Sequence, residues 1–141
     1  MTTTTPRLHR VPADPALNPG DAAWFEAAGQ GRLILRQCRS CGKPHHFPRE
    51  ICPFCWSTDV EWRETSGLGE IYSYSVTRKA GPLPYCIAYV VLDEGPMMLT
   101  NIVETDLDRV HIGQRVEVCF HHSANGTAIP MFRPVTHGGV R

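Results

Sequence analysis

Between residues 38 and 55 the chain carries two Cys-x-x-Cys pairs, Cys38-Arg39-Ser40-Cys41 and Cys52-Pro53-Phe54-Cys55, with ten residues between them. A two-residue spacer lets both sulfurs of a pair face one point. Two such turns brought together set four thiolates around one cation, the tetrahedral set that structural zinc prefers. A closed four-sulfur shell leaves no position for water or substrate, so a site of this kind holds structure and performs no chemistry. The loop between the pairs is shorter than in common four-cysteine zinc modules, which predicts a tight ribbon. Disulfide pairing is the competing use of these cysteines. The chain shows no secretory signal, and disulfides are rare in the cytosol. A redox dithiol needs one pair beside a βαβ pattern, which the chain lacks. Iron fits the same four sulfurs, and spacing does not separate it from zinc.

The charges around the pairs suit a metal–thiolate centre, whose net charge would be negative. Arg32, Arg36, Arg39, Lys43 and Arg49 surround the cysteines, and Glu50 is the one acid between residues 32 and 55. These cations either offset the cluster and stay solvated or form a patch for the phosphates of a nucleotide or nucleic acid. Formal net charge over the 141 residues is zero, with 14 basic and 14 acidic side chains, which argues against a dedicated nucleic-acid binder. No apolar run approaches the length of a membrane span. A cytoplasmic location is the expectation that follows.

Residues 1–19 hold four prolines and a threonine run, and read as a flexible arm. Residues 21–30 predict one short helix, with Asp21 able to cap its start and Gly29 or Gly31 its end. Trp24, Phe25 and Ala28 share one side of it. A helix this short needs a docking surface, either this chain's core or a partner. Leu33–Gln37 reads as a strand entering the first cysteine turn. Gly42 follows Cys41, where the backbone needs positive φ. Trp56 occupies the same place after Cys55, so a bulky residue must manage the second turn. His45 and His46, between the pairs, read as hydrogen-bonded strand residues, not ligands. Val60, Trp62 and Glu64 alternate with Glu61 and Arg63 as a strand leaving the ribbon. Helix plus ribbon therefore occupies residues 20–65.

A second module spans residues 66–135, followed by a flexible tail at 136–141. Twelve prolines and twelve glycines in the chain point to many turns between short strands. Alternation marks strands at Glu70–Arg78, Tyr85–Asp93, Met97–Glu104, Arg115–His122 and Ala128–Arg133, and Asn125-Gly126 signals a hairpin between the last two. Five short strands without a long helix predict a small antiparallel barrel. The segment Thr105–Gly113 has room for a turn only. Both faces of Tyr85–Leu92 are apolar, so the outside of this strand needs cover from the chain itself or from a partner. No nucleophile motif, phosphate loop or metalloprotease motif appears, and no catalytic residue is assigned. Cys86 and Cys119 read as strand fillers, and His121 and His122 as surface residues.

In order, the chain presents a short aromatic helix, L-I-L-R-Q-C-R-S-C-G, F-P-R-E-I-C-P-F-C, S-G-L-G-E-I-Y-S-Y-S-V and P-Y-C-I-A-Y-V-V-L-D-E-G, then H-I-G-Q-R-V-E-V-C-F and F-R-P. Over roughly residues 18–134 this order resembles the zinc-ribbon/OB-fold family of acyl-coenzyme-A-associated proteins. The resemblance implies a mainly β fold: a short helix, a rubredoxin-like zinc ribbon on Cys38, Cys41, Cys52 and Cys55, then a five-stranded antiparallel OB barrel. It implies a noncatalytic accessory subunit, in a hetero-oligomer with a thiolase-like catalytic subunit such as a thiolase, aldolase or acyltransferase. Acyl-coenzyme A would be the shared ligand. Arg78, Lys79, Leu83 and Tyr85, in and beside the loop after the first barrel strand, are the candidates to hold it, because it needs cations for phosphates and an apolar groove for its arm. Trp24 and Phe25 are the candidates for the partner interface. The rival expectation is a nucleic-acid-binding ribbon and barrel, supported by the basic run and the strand tyrosines.

Overall fold

A computed structural model describes residues 11–18 and 20–135; residues 1–10 and 19 of the expected arm, and the expected tail at 136–141, lie outside the described residues. Helix α1 (Ala22–Gly29) opens at Asp21, whose carbonyl accepts from the amides of Trp24 and Phe25. The expected side-chain cap is not made. The Asp21 carboxylate turns outward from the helix and accepts from the amide of Asn18 at 2.9 Å, which closes the turn leading into α1. The helix ends where the amide of Gly31 bonds to Ala28 and that of Arg32 to Ala27, with Gly31 at φ +81°. That pair of bonds needs a left-handed residue at the position of Gly31, which glycine supplies without steric cost.

The ribbon strands β1 (Ile34–Cys38), β2 (Pro44–His45) and β3 (Val60–Glu64) form an antiparallel sheet in the order β2-β1-β3. Their register sets Ile34 opposite Glu64 and Cys38 opposite Val60. Leu33, Ile34 and Leu35 are buried with Trp24 and Ala27 in the same hydrophobic cluster as Ile71, Val90, Ile102, Val116 and Phe132 of the second module. Helix, ribbon root and barrel thus share one core.

The second module closes as β4 (Leu68–Thr77), β5 (Tyr85–Leu92), β6 (Met97–Ile102), β8 (Ala128–Pro134) and β7 (Arg115–His122), in that order around the barrel. The strands fall where alternation placed them. The barrel is not purely antiparallel, however: β6 and β8 run parallel, joined through Ile102 and Phe132. The reason is topological. Strand direction cannot alternate all the way round a ring of five, so one neighbouring pair must be parallel. Gly126, at φ +88°, turns β7 back into β8, and one 3-10 turn at Leu107–Arg109 occupies the link between β6 and β7.

Gly69 stands where β4 pairs on both sides, opposite Leu92 of β5 and Val116 of β7. A Cβ there would lie 2.6 Å from Val90 Cγ1 and 2.7 Å from the Val91 carbonyl oxygen. The backbone oxygen cannot move aside without disturbing the ladder. Gly69→Ala is expected to cost about 1–3 kcal/mol, the usual range for overpacking a tight core, read as a lower denaturant midpoint at unchanged slope.

Inward residues of β5 (Cys86, Ala88, Val90 and Leu92) are buried. The outward ones are not covered. Tyr89 is 46 % exposed and lies opposite Leu99 of β6, itself 56 % exposed, with Ile87 and Met97 exposed beside them. Residues 11–18 follow another part of the barrel. Asp14 accepts from the amide of Asn125 at 3.0 Å, tying the segment to the β7–β8 turn.

Candidate metal centre and ligand groove

The two Cys-x-x-Cys turns are near copies. The amide of Gly42 bonds to the Cys38 carbonyl at 3.0 Å and that of Trp56 to the Cys52 carbonyl at 2.9 Å. Gly42 sits at φ +80° and Trp56 at φ +69°, so the tryptophan accepts the left-handed backbone that glycine takes freely. Its indole, 80 % exposed, points away from the turn. The Sγ atoms of Cys38, Cys41, Cys52 and Cys55 all lie within 4.8 Å of one another. Cys38 and Cys55 are 3.5 Å apart, and Cys41 and Cys52 are 3.7 Å apart. Disulfide sulfurs stand at about 2.05 Å, so these four are thiols gathered round a common point. Sulfurs bound tetrahedrally to one zinc at about 2.3 Å would stand at comparable separations.

Backbone amides prepare the cluster for a cation. Those of Ser40 and Cys41 point at the Cys38 sulfur, at 3.3 and 3.4 Å, and that of Phe54 at the Cys52 sulfur at 3.4 Å. The amide of Cys41 contributes most to holding the Cys38 thiol down at about 6. The amide of Ser57 works to lower the Cys55 thiol, but burial and the three neighbouring sulfurs outweigh it and push it up to about 12. Four negative sulfurs cannot coexist here without a positive ion among them. The donor set, the spacing and the amide bonds fit a structural zinc.

The basic residues around the cysteines are largely engaged. Arg39 pairs with Glu61 at 3.1 Å and Asp59 at 3.7 Å, and Arg32 with Glu64 at 3.3 Å. The Arg36 guanidinium stacks 4.0 Å above the Trp62 ring, and the Lys43 ammonium lies 5.0 Å from the Phe54 ring. The acids come from β3 and the turn before it, beyond the stretch in which Glu50 stands alone. His45 is a strand residue whose Nε2 accepts from the amide of Arg49. His46 packs beside Trp24, and burial, with His45 nearby, pushes its imidazole down to about 4.

Trp24, expected as a candidate partner contact, is buried in this chain's own core at 7 % exposure, edge-on to Phe25, whose ring is half-buried. Its indole offers little exposed surface. An uncovered apolar surface lies instead on the outside of β5 and β6.

A groove of about 540 Å³ opens where Pro12 and Ala13 meet the barrel, along the ends of β5 and β6 and the face of β8. Small-molecule sites fall in this size range. Of the four expected ligand contacts, Arg78 and Tyr85 border it; Lys79 and Leu83 are not among its lining residues. Arg78 is ion-paired to Asp108. Ile102, Leu107, Ile129 and Met131 give the groove an apolar floor, and Glu104 and Asp106 add negative charge. Sequence reasoning missed Glu104, Ile129 and Met131, because the groove joins β8 to the link after β6, a pairing with no local signature.

The remaining thiols are not activated. Burial raises the Cys86 thiol, and burial together with nearby Glu104 pushes Cys119 up to about 12. Thiolate is the reactive form, so neither is a nucleophile near neutral pH.

Two family models match the chain in succession: the ChsH2 rubredoxin-like zinc ribbon domain over residues 25–61 and the ChsH2 C-terminal OB-fold domain over residues 62–121. A DUF35 domain-containing scaffold protein of Methanocaldococcus jannaschii is 38 % identical over 104 residues, covering 70 % of this chain and 74 % of that protein. A probable enoyl-CoA hydratase alpha subunit of Thermomonospora curvata is 38 % identical over 124 residues; 85 % of this chain matches, yet it spans only 39 % of that protein. Among solved structures, an Ltp2-ChsH2(DUF35) aldolase superimposes with a TM-score of 0.75 at 38 % identity, covering 86 % of this chain and 98 % of that one. A DUF35 protein of Sulfolobus solfataricus shares the fold at a TM-score of 0.62 and 17 % identity, covering 83 % of this chain and 86 % of that one.

Proposed function

Because this chain belongs to the ChsH2-type (DUF35) family of zinc-ribbon/OB-fold proteins, we propose that it is a noncatalytic accessory subunit that docks on an enzyme acting on coenzyme A thioesters. The observation that carries this is the uncovered apolar wall of Ile87, Tyr89, Met97 and Leu99 on a small barrel whose core is otherwise closed. A contiguous apolar surface of this kind marks a protein contact. The partner is thiolase-like, in keeping with the aldolase of the similar solved complex. The similar hydratase subunit favours the same substrate class.

The barrel groove receives the pantetheine arm of the thioester. Its apolar floor suits the arm, and Arg78 at the mouth meets the first phosphate by exchanging Asp108 for it. Lys79 and Leu83 of the same loop flank the path. The chain itself contributes no chemistry. The ribbon's four-sulfur shell is closed, and without a metal the buried Cys86 and Cys119 thiols are held protonated. The rival nucleic-acid reading has little to stand on, since the ribbon's arginines pair with its own acids and rings. In the assembled complex, Arg78→Glu is expected to raise the KM for the acyl-CoA about tenfold or more, the scale of one lost charge-assisted contact, while leaving assembly intact. An unchanged KM would remove Arg78, and the groove mouth with it, from the thioester path.

A further inference from the structure

Cys119 and His121 stand two residues apart on one face of β7, opposite Met131 and Ile129 of β8. Glu104 follows the end of β6 and holds φ +59°, a backbone that L residues rarely adopt. That bend lays its carboxylate across the face of β7. One oxygen lies 2.8 Å from His121 Nε2 and the other accepts from Arg133 at 2.9 Å. A cysteine sulfur, an imidazole nitrogen and a carboxylate oxygen thereby come within 4.8 Å of one another. Two of the three are withdrawn from water: Cys119 is 7 % exposed and the His121 side chain 9 %.

We propose that Glu104, Cys119 and His121 form a second metal site, for a divalent transition ion such as zinc, separate from the ribbon and independent of the scaffold reading. Sulfur, nitrogen and oxygen together are the donors that zinc accepts, with bonds of about 2.0–2.3 Å. Alternate positions of β7 hold two of the ligands on one face. Arg133 bridges the free oxygen of Glu104 and the carboxylate of Glu117, at 2.9 Å each. It therefore orients the carboxylate ligand from behind, as outer partners do in metal sites. Binding releases the Cys119 proton to water, and the imidazole keeps its remaining proton on the nitrogen turned away from the ion. The thiolate, two carboxylates and one guanidinium then sum to two negative charges, which a divalent cation cancels. Three protein ligands leave one position for water or for a group entering the groove, which Glu104 also lines.

Cobalt(II) tests this in the full chain with its ribbon zinc in place. One added equivalent should give visible ligand-field bands and a near-ultraviolet band from a single thiolate, while total zinc stays at one per chain. Cys119→Ala and His121→Gln should each abolish both bands, and Arg133→Gln should weaken binding about tenfold. Cys119→Ser, nearly the same size, serves if the alanine variant fails to fold. No thiolate–cobalt band in the unmodified chain, release of ribbon zinc in step with cobalt uptake, or an unchanged spectrum in the Cys119 variants would each overturn the proposal.

Discussion

Cys52→Ser is expected to strip the ribbon of its metal and unfold residues 38–60 while the barrel persists. Cys52 is fully buried at the centre of the four-sulfur cluster, and a serine hydroxyl does not ionise to replace a thiolate. In small zinc modules the metal supplies about 10–16 kcal/mol of apparent folding free energy near neutral pH, far more than two short cysteine turns and a two-residue strand can replace. The Cys38 end of the β1–β3 ladder and the Arg36–Trp62 stack would loosen with it. The damage should not stop cleanly at the ribbon. Leu33, Ile34 and Leu35 belong to the barrel's cluster, so the barrel should lose stability without losing its fold. The aromatic residues separate the two effects. All three tryptophans lie in the helix and ribbon, and all four tyrosines in the barrel. Trp62, stacked under Arg36, should report the unfolded ribbon as a partial change in tryptophan fluorescence, while the tyrosine signal and strand circular dichroism stay near native. Stoichiometric metal retained in the variant, or loss of both signals together, would contradict this account.

Much of this architecture could be read from the chain, and what could be read was local. The cysteine spacing fixed four ligands, and Asn125-Gly126 fixed a hairpin. Alternation placed five strands because one face of each is core. What escaped was non-local. The parallel contact between Ile102 and Phe132 follows from closing an odd ring, which no short window contains. The acids that neutralise Arg32 and Arg39 sit on β3, across the sheet from them. Asp21 starts the helix as its position predicts, but its side chain makes no cap, because the amide of Asn18 takes its carboxylate. Tyr85–Leu92 carries apolar side chains on both faces, as its sequence predicts. Only the structure shows that Trp24 has its cover within the chain while the outside of β5 has none.

That uncovered wall yields the second large effect. Tyr89→Glu and Leu99→Glu, made together, are expected to abolish association with the catalytic partner. The two side chains face each other across β5 and β6 and are exposed in this chain, so the substitutions should leave its stability within about 0.5 kcal/mol. A central aromatic anchor contributes about 2 kcal/mol or more at a protein interface, and a buried unpaired carboxylate adds to the loss, so binding should weaken at least about 100-fold. Arg78→Glu should leave that association unchanged, which separates docking from thioester handling.

The most direct measurement co-expresses this chain with a candidate thiolase-like partner from the same organism, isolates the complex by size exclusion, and assays thioester turnover with each component omitted in turn. An accessory subunit predicts co-elution, turnover by the complex, none by this chain alone, and at most weak turnover by the partner alone. Full activity of the partner without this chain, or turnover by this chain without the partner, would contradict it.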